Sequence, residues 1–264
     1  MLSEEIIRSF NVSGEKIPLL GGQNTSVRVN HAVFKPVDDM EYTEWLLTVI
    51  DSIRPQGYRL SKPLRTQKGT FVSDGWVCTQ FERGQEVNGK INEKLHVSRL
   101  FHRDISNLNV ENCIQVQNPW AMAHHIAWQR DEMPPEVHPK TKLIINELLS
   151  KVQLQEQYNL QIVHGDLAGN ILFDDVFPPL IIDFSPTVAP VEYAEAILVC
   201  DCIAWQGSEV FEIEVLSSHG SFIEMIIRAI VFRLAVEAIF AKSDHTTFEQ
   251  QYHLFKPILD YIDL

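Results

Sequence analysis

The spacing of apolar positions changes along the chain and divides it in two. Residues 17–82 read as strand-rich with one helix, and residues 90–264 as mostly helical, with a short strand-and-loop insert at 161–186. In the first part, 25–29 and 32–37 have the composition of strands, and Asn30-His31 between them suits a tight hairpin turn. Asp38-Asp39 can cap a helix running to about Ile53, with Tyr42, Trp45, Leu46, Val49, Ile50 and Ile53 on one side. Two further strands are expected near 69–73 and 75–81, joined by Ser73-Asp74-Gly75.

The second part predicts helices around 95–108, 120–130 and 141–158, the last with Leu143, Ile144, Leu148 and Val152 apolar. Short apolar runs at 162–163, 171–173 and 180–182 then interrupt the helical pattern, with Pro178-Pro179 marking a loop. Helices resume from Pro190. The segment 222–240 is apolar enough to resemble a membrane span, but Glu224, Arg228, Arg233 and Glu237 fall along one helical stripe as two i,i+4 pairs. That pattern predicts an amphipathic core helix, and no membrane partner.

Composition narrows the function. A formal net charge of −13 argues against a nucleic-acid binder, which needs clustered Lys and Arg to displace counterions. The acidity serves solubility and suits a cationic small molecule. Cys78, Cys113, Cys200 and Cys202 match no zinc spacing and read as thiols of a reducing compartment. The N-terminus lacks a basic region followed by an apolar run, so a cytoplasmic location is expected.

The most informative stretch is His164-Gly165-Asp166-Leu167-Ala168-Gly169-Asn170-Ile171-Leu172-Phe173, a polar loop between apolar runs. Past it comes a strand ending in Ile181-Ile182-Asp183-Phe184. An Asp and an Asn offering oxygens suit Mg²⁺, a hard ion with few protein ligands, and the remaining carboxylate can accept a proton from a hydroxyl nucleophile.

These elements resemble the catalytic loop and metal-binding strand end of the aminoglycoside phosphotransferase family, a branch of the protein-kinase-like fold. The resemblance implies an α+β, two-lobe, protein-kinase-like fold: a small antiparallel-sheet N-lobe with one helix (1–82) and a larger, mainly helical C-lobe (83–264). It implies a small-molecule kinase that uses ATP, or GTP, with Mg²⁺ to phosphorylate a hydroxyl. Asp166 would be the catalytic base, and Asn170 and Asp183 the metal ligands. Lys35, in Ala32-Val33-Phe34-Lys35-Pro36, resembles the kinase strand lysine that binds phosphates, whose partner is a Glu on the next helix. Glu41 and Glu44 both qualify, Glu41 lying nearer the apolar face. Gly21-Gly22-Gln23-Asn24-Thr25-Ser26 stands where such enzymes place the loop over the phosphates. Gln80-Phe81-Glu82 stands at the adenine-binding hinge, and Asp201 resembles the family's structural Asp that braces the catalytic loop.

Two departures are evident. Only three residues separate Asp166 from Asn170, where the kinase pattern has four, and Ser185 follows Asp183-Phe184 where kinases have Gly. The shortened loop motivates a second reading, a catalytically weak, kinase-like nucleotide-binding or scaffold protein. Acceptors in view are an aminocyclitol antibiotic, a sugar, a choline-like alcohol or a nucleoside-like compound.

Overall fold

Turn chemistry sets up the first sheet. Asn30 (φ 54°) closes one hairpin, and Asp74 (φ 47°) with Gly75 (φ 74°) closes another; these left-handed positions are ones that Asn, Asp and Gly tolerate. The computed structural model describes residues 2–19, 25–114, 116–152, 157–218 and 220–263. Its first elements are α1 (Glu4–Ser9), β1 (Lys16–Pro18), β2 (Val27–Val29), β3 (Ala32–Pro36), α2 (Met40–Ser52), β4 (Arg59–Leu60), β5 (Val72–Ser73), β6 (Trp76–Gln80) and β7 (Gln85–Glu86). There follow α3 (Ile91–Asp104), α4 (Pro119–Ala127), α5 (Pro139–Ser150), β8 (Gln161–His164), β9 (Ile171–Phe173), β10 (Leu180–Ile181) and β11 (Pro186–Ala189). The chain closes with α6 (Val191–Gln206), α7 (Phe222–Ala241) and α8 (His245–Tyr261).

The chain divides into two compact units, 1–85 with 172–183, and 86–171 with 184–264. In the first, five strands form an antiparallel sheet in the order β1-β2-β3-β6-β5. Strand alternation gives that sheet two faces. Phe34 and Cys78 are fully buried in a cluster with Ile6, Ile7 and Phe10 of the N-terminal turns, and Phe10 meets Phe34 edge-on at 5.7 Å. Such an edge-to-face pair contributes about 0.5–1.5 kcal/mol beyond its buried area. The neighbouring pair is Lys35 with Val77, and Val77 packs with Phe71 and Leu47. The sequence pattern placed α2 and part of its inward face, for Ile50 packs against this cluster and Ile53 is buried at the helix end. Leu47, outside the expected apolar stripe, is its buried residue, because Phe71 and Val77 lie beneath that position.

Segment 172–183 joins this unit rather than the helical residues on either side of it in sequence. β10 pairs in parallel with β4, Leu180 opposite Arg59 and Ile181 opposite Leu60. Arg59 reinforces the pairing: Nε donates to the Pro178 carbonyl at 2.9 Å, Nη2 to the Arg83 carbonyl at 2.7 Å, and Nη1 to Glu82 at 3.0 Å.

The second unit is helical around a two-stranded antiparallel ribbon, β8 with β11. β11 was not among the expected strands. A proline is tolerated at the first residue of a strand, where Pro186 stands opposite His164. α3 begins four residues before the expected 95, from a left-handed Lys90 (φ 55°), and α5 ends at Ser150 rather than near 158. α7 is buried over most of its length, so the expected polar stripe is not a solvent-facing one. Glu224 and Arg228 do pair, at 2.9 Å, but inside the unit, where Arg228 also donates to the Ala127 carbonyl at 2.6 Å. Arg233 does not use Glu237; its partners are described below. Among the described residues no helix is long and apolar enough to cross a membrane.

Candidate active site

Strand β8 leads into the loop 165–170, and buried histidines hold its exit. The His164 N–H donates to His102 Nε2 at 3.0 Å, and His102 Nδ1 lies 3.2 Å from Ser98 Oγ. The fully buried His164 ring takes the Asp166 N–H on Nδ1 at 3.1 Å. Gly165 donates its N–H to the Ser185 carbonyl at 2.9 Å. Glycine is required there by close approach, for a Cβ would sit 2.9 Å from His124 Nε2. That ring cannot yield, being stacked on Phe232 at 3.8 Å and bonded to the Tyr193 hydroxyl at 3.0 Å. Burial pushes both His102 and His124 down to about 3, so both rings are neutral at physiological pH.

The shortened loop closes as a turn. The Asn170 N–H bonds the Leu167 carbonyl at 3.0 Å, which brings the Asn170 side chain back over Asp166. Asn170 Nδ2 donates to the Asp166 carbonyl at 2.6 Å and to Asp166 Oδ2 at 3.1 Å. The amide nitrogen is thereby committed, and the amide oxygen is the atom Asn170 has to offer a metal ion. A second brace comes through Gln206, whose Nε2 donates to the Ala168 carbonyl at 3.1 Å and whose Oε1 accepts from the buried Lys94 at 2.5 Å.

Asp166 itself meets a cation that the sequence did not reveal. Arg233 Nη2 lies 2.6 Å from Asp166 Oδ1, and the same guanidinium grips Asp201 by Nε at 2.9 Å and again by Nη2. Asp201 is buried, Arg233 nearly so, and the Asp166 side chain is about half exposed. Burial alone would raise the Asp166 carboxyl, but the charge and hydrogen bond of Arg233, aided by His164 and Asn170, hold it below the usual range. Burial pushes Asp201 up to about 6 against the pull of Arg233. Asp201 thus reaches the Asp166 loop through Arg233. A helix apolar on all sides is a buried helix, so an arginine within it must find a carboxylate. That was the available signal, and the i,i+4 pairing with Glu237 obscured it.

In the first unit, Lys35 on β3 forms a close ion pair with Asp183. Asp183 follows β10 in the left-handed region (φ 49°), a costly position for a non-glycine residue and one that recurs at functional sites. The expected partner Glu41 is not the one Lys35 pairs with. It lies exposed in the first turn of α2, where the helix dipole favours a carboxylate. Glu44 is also otherwise engaged, accepting the Phe71 N–H on both oxygens (3.0 and 2.9 Å) and the Val72 N–H at 3.1 Å. At the hinge, the Gln80 N–H bonds the Lys62 carbonyl at 2.8 Å and the Phe81 N–H bonds the His31 carbonyl at 2.7 Å. Of these three amides only that of Glu82 has no partner among the described residues, while its carboxylate holds Arg59. Gly21 and Gly22 lie outside the described residues.

Comparison with solved structures establishes the fold. Spectinomycin phosphotransferase in its AMP complex matches at a TM-score of 0.59 and 14% identity, covering 97% of this chain and 93% of its own. Choline kinase from Streptococcus pneumoniae matches at 0.62 and 10% identity, covering 97% and 96%. An aminoglycoside phosphotransferase in a ternary complex with ADP and hygromycin B matches at 0.58 and 12% identity, covering 96% and 97%. The chain therefore has the α+β, protein-kinase-like fold of aminoglycoside phosphotransferases and choline kinase over nearly its whole length. No protein-family model matches the sequence, and no curated protein matches it.

Proposed function

We propose that this protein is a small-molecule kinase that transfers the γ-phosphate of ATP to a hydroxyl group. The observation that carries the reading is the turn 167–170, which keeps Asn170 on the Asp166 carboxylate despite the missing residue. A shortened loop that still delivers both groups together favours an enzyme over a scaffold.

The roles follow from the chemistry of each group. Asp166, held ionised and half exposed, accepts a hydrogen bond from the acceptor hydroxyl and takes its proton as the new P–O bond forms. A carboxylate of lowered basicity suits phosphoryl transfer, whose loose transition state calls for orientation more than early deprotonation. Asn170 and Asp183 each present an oxygen of the hard type that Mg²⁺ takes, and Mg²⁺ neutralises phosphate charge. Lys35 supplies a protein cation for the phosphates. The Glu82 amide is the hinge donor left for adenine. An acceptor carrying positive charge fits the net charge of −13, as spectinomycin, hygromycin B and choline would.

The test is a product screen with ATP and Mg²⁺ against choline, aminocyclitols, sugars and nucleosides. Wild type should phosphorylate at least one, and Asp166→Asn and Asp183→Ala should reduce turnover by about 10²–10⁴-fold. Thermal stabilisation by ATP with no transfer to any acceptor would favour the scaffold reading. Wild-type turnover in Asp166→Asn would end the assignment of the base.

A further inference from the structure

One stripe of α7 runs from Arg233 through Glu237 to Phe240, positions i, i+4 and i+7 on a single helix face. Arg233, at its start, reaches Asp166 with Nη2 at 2.6 Å. Glu237 follows about 6 Å further along the helix axis. Its carboxylate is partly buried and has no hydrogen bond or ion pair among the described residues, its i−4 neighbour Arg233 being taken by Asp201 and Asp166. Burial, with no cation opposing it, raises the Glu237 carboxyl above its ordinary value. Withdrawing a carboxylate from water costs free energy unless a partner compensates it, and here the chain supplies none among the described residues.

Exposed aromatic rings stand at both ends of the stripe. Trp205, near the end of α6, lies 5.4 Å from the Arg233 guanidinium. Trp120, in the first turn of α4, meets Phe240 edge-on at 5.2 Å, and both are open to solvent. Ring faces attract organic cations, and a carboxylate beside them adds a full counter-charge. A neutral sugar can also stack on such rings, but it would leave Glu237 uncompensated.

We infer that Glu237 is a specificity-determining residue of the acceptor site: it receives the ammonium group of a cationic acceptor lying along α7 between Trp205 and the Trp120–Phe240 pair, with the acceptor hydroxyl at Asp166. The inference rests on the proposed function for the hydroxyl end, but the ammonium end can be read without turnover.

The test is calorimetric titration of choline, spectinomycin and hygromycin B into nucleotide-free wild type, Glu237→Gln and Glu237→Asp, with glucose and myo-inositol as neutral probes. Wild type should bind at least one of the cations more tightly than either neutral probe. Glu237→Gln should weaken that binding by about tenfold or more, and Glu237→Asp, which keeps the charge, by less. Phe240→Leu should weaken it by about two- to fivefold. Glu237→Gln removes a charge that burial disfavours, so its Tm should not fall, which separates lost binding from lost folding. In transfer assays the change should appear in the KM of the cationic acceptor rather than in kcat. Equal cation binding by wild type and folded Glu237→Gln, or no cation bound in preference to the neutral probes, would overturn the inference. A cation held through Glu237 with no transfer from ATP to any acceptor would sink the proposed function and leave the ammonium site standing. Transfer to a neutral alcohol at a rate that Glu237→Gln does not alter, with no cation bound, would do the reverse.

Discussion

Acid should dismantle this protein from strand β8, and the size of the effect can be worked from two rings. His102 accepts the His164 N–H on Nε2, so protonating that nitrogen breaks the bond that fixes the end of β8. His124 lies against Gly165, stacked on Phe232 and edge-on to Tyr193. Both rings are depressed by burial from an ordinary value of 6.5 to about 3. The folded state therefore binds fewer protons than the unfolded chain, and stability is full above 6.5 and lost as pH falls toward 3. Integrating between pH 8 and pH 5, each such ring withdraws about 2 kcal/mol. Asp201, raised to about 6, works in the opposite sense, because its folded form takes up a proton sooner than its unfolded form.

A single substitution isolates the histidine contribution. In His102→Gln the amide oxygen can stand in for Nε2 and accept the His164 N–H, with no titration. Denaturant unfolding at pH 8 and pH 5 should show the wild type losing about 2 kcal/mol more than His102→Gln over that interval, while Asp201 and all other groups cancel in the comparison. Nitrogen-15 spectra should show the His102 ring neutral across the whole range. Equal acid losses in the two proteins, or a His102 ring that protonates above pH 5 in the folded state, would refute the reasoning.

Two other perturbations test the supports of the site. Gly165→Ala should cost about 1–3 kcal/mol through its 2.9 Å approach to the immobile His124 ring, read as a lowered Tm; a change within experimental scatter would mean that the ring can move. Glu44→Ala should cost about 1–3 kcal/mol by stranding the Phe71 and Val72 amides, yet leave ATP affinity unchanged. A tenfold or greater loss of ATP affinity there would restore Glu44 as a candidate partner of Lys35.

The hairpins and α2 were legible because local chemistry decides them: Asn30, Asp74 and Gly75 are turn residues, and Asp39 caps α2 through the Tyr42 N–H at 2.9 Å. The pairing of Lys35 was not legible. The choice between Glu41, Glu44 and Asp183 depends on where the strand ending in Asp183 docks, and that is decided by the parallel pairing of β10 with β4, over a hundred residues apart in sequence. β11 was missed for a related reason, since pairing with β8 outweighs the local bias of a proline against strands.

Arg233 shows how a correct local rule can mislead. Glu237 stands at i+4 and would pair with it on an exposed helix for a few tenths of a kcal/mol. A buried arginine left without a carboxylate would cost several kcal/mol, so avoiding that penalty selects Asp201, and Asp166 beyond it. The same inequality explains why the Asp166 carboxylate is tied to the core. Asp201 alone, buried among apolar side chains, would tend to protonate; with Arg233 beside it, the pair is neutral overall and has an N–H left to donate. That donor is spent on Asp166, which makes the order of a half-exposed side chain depend on the packing of α6 against α7.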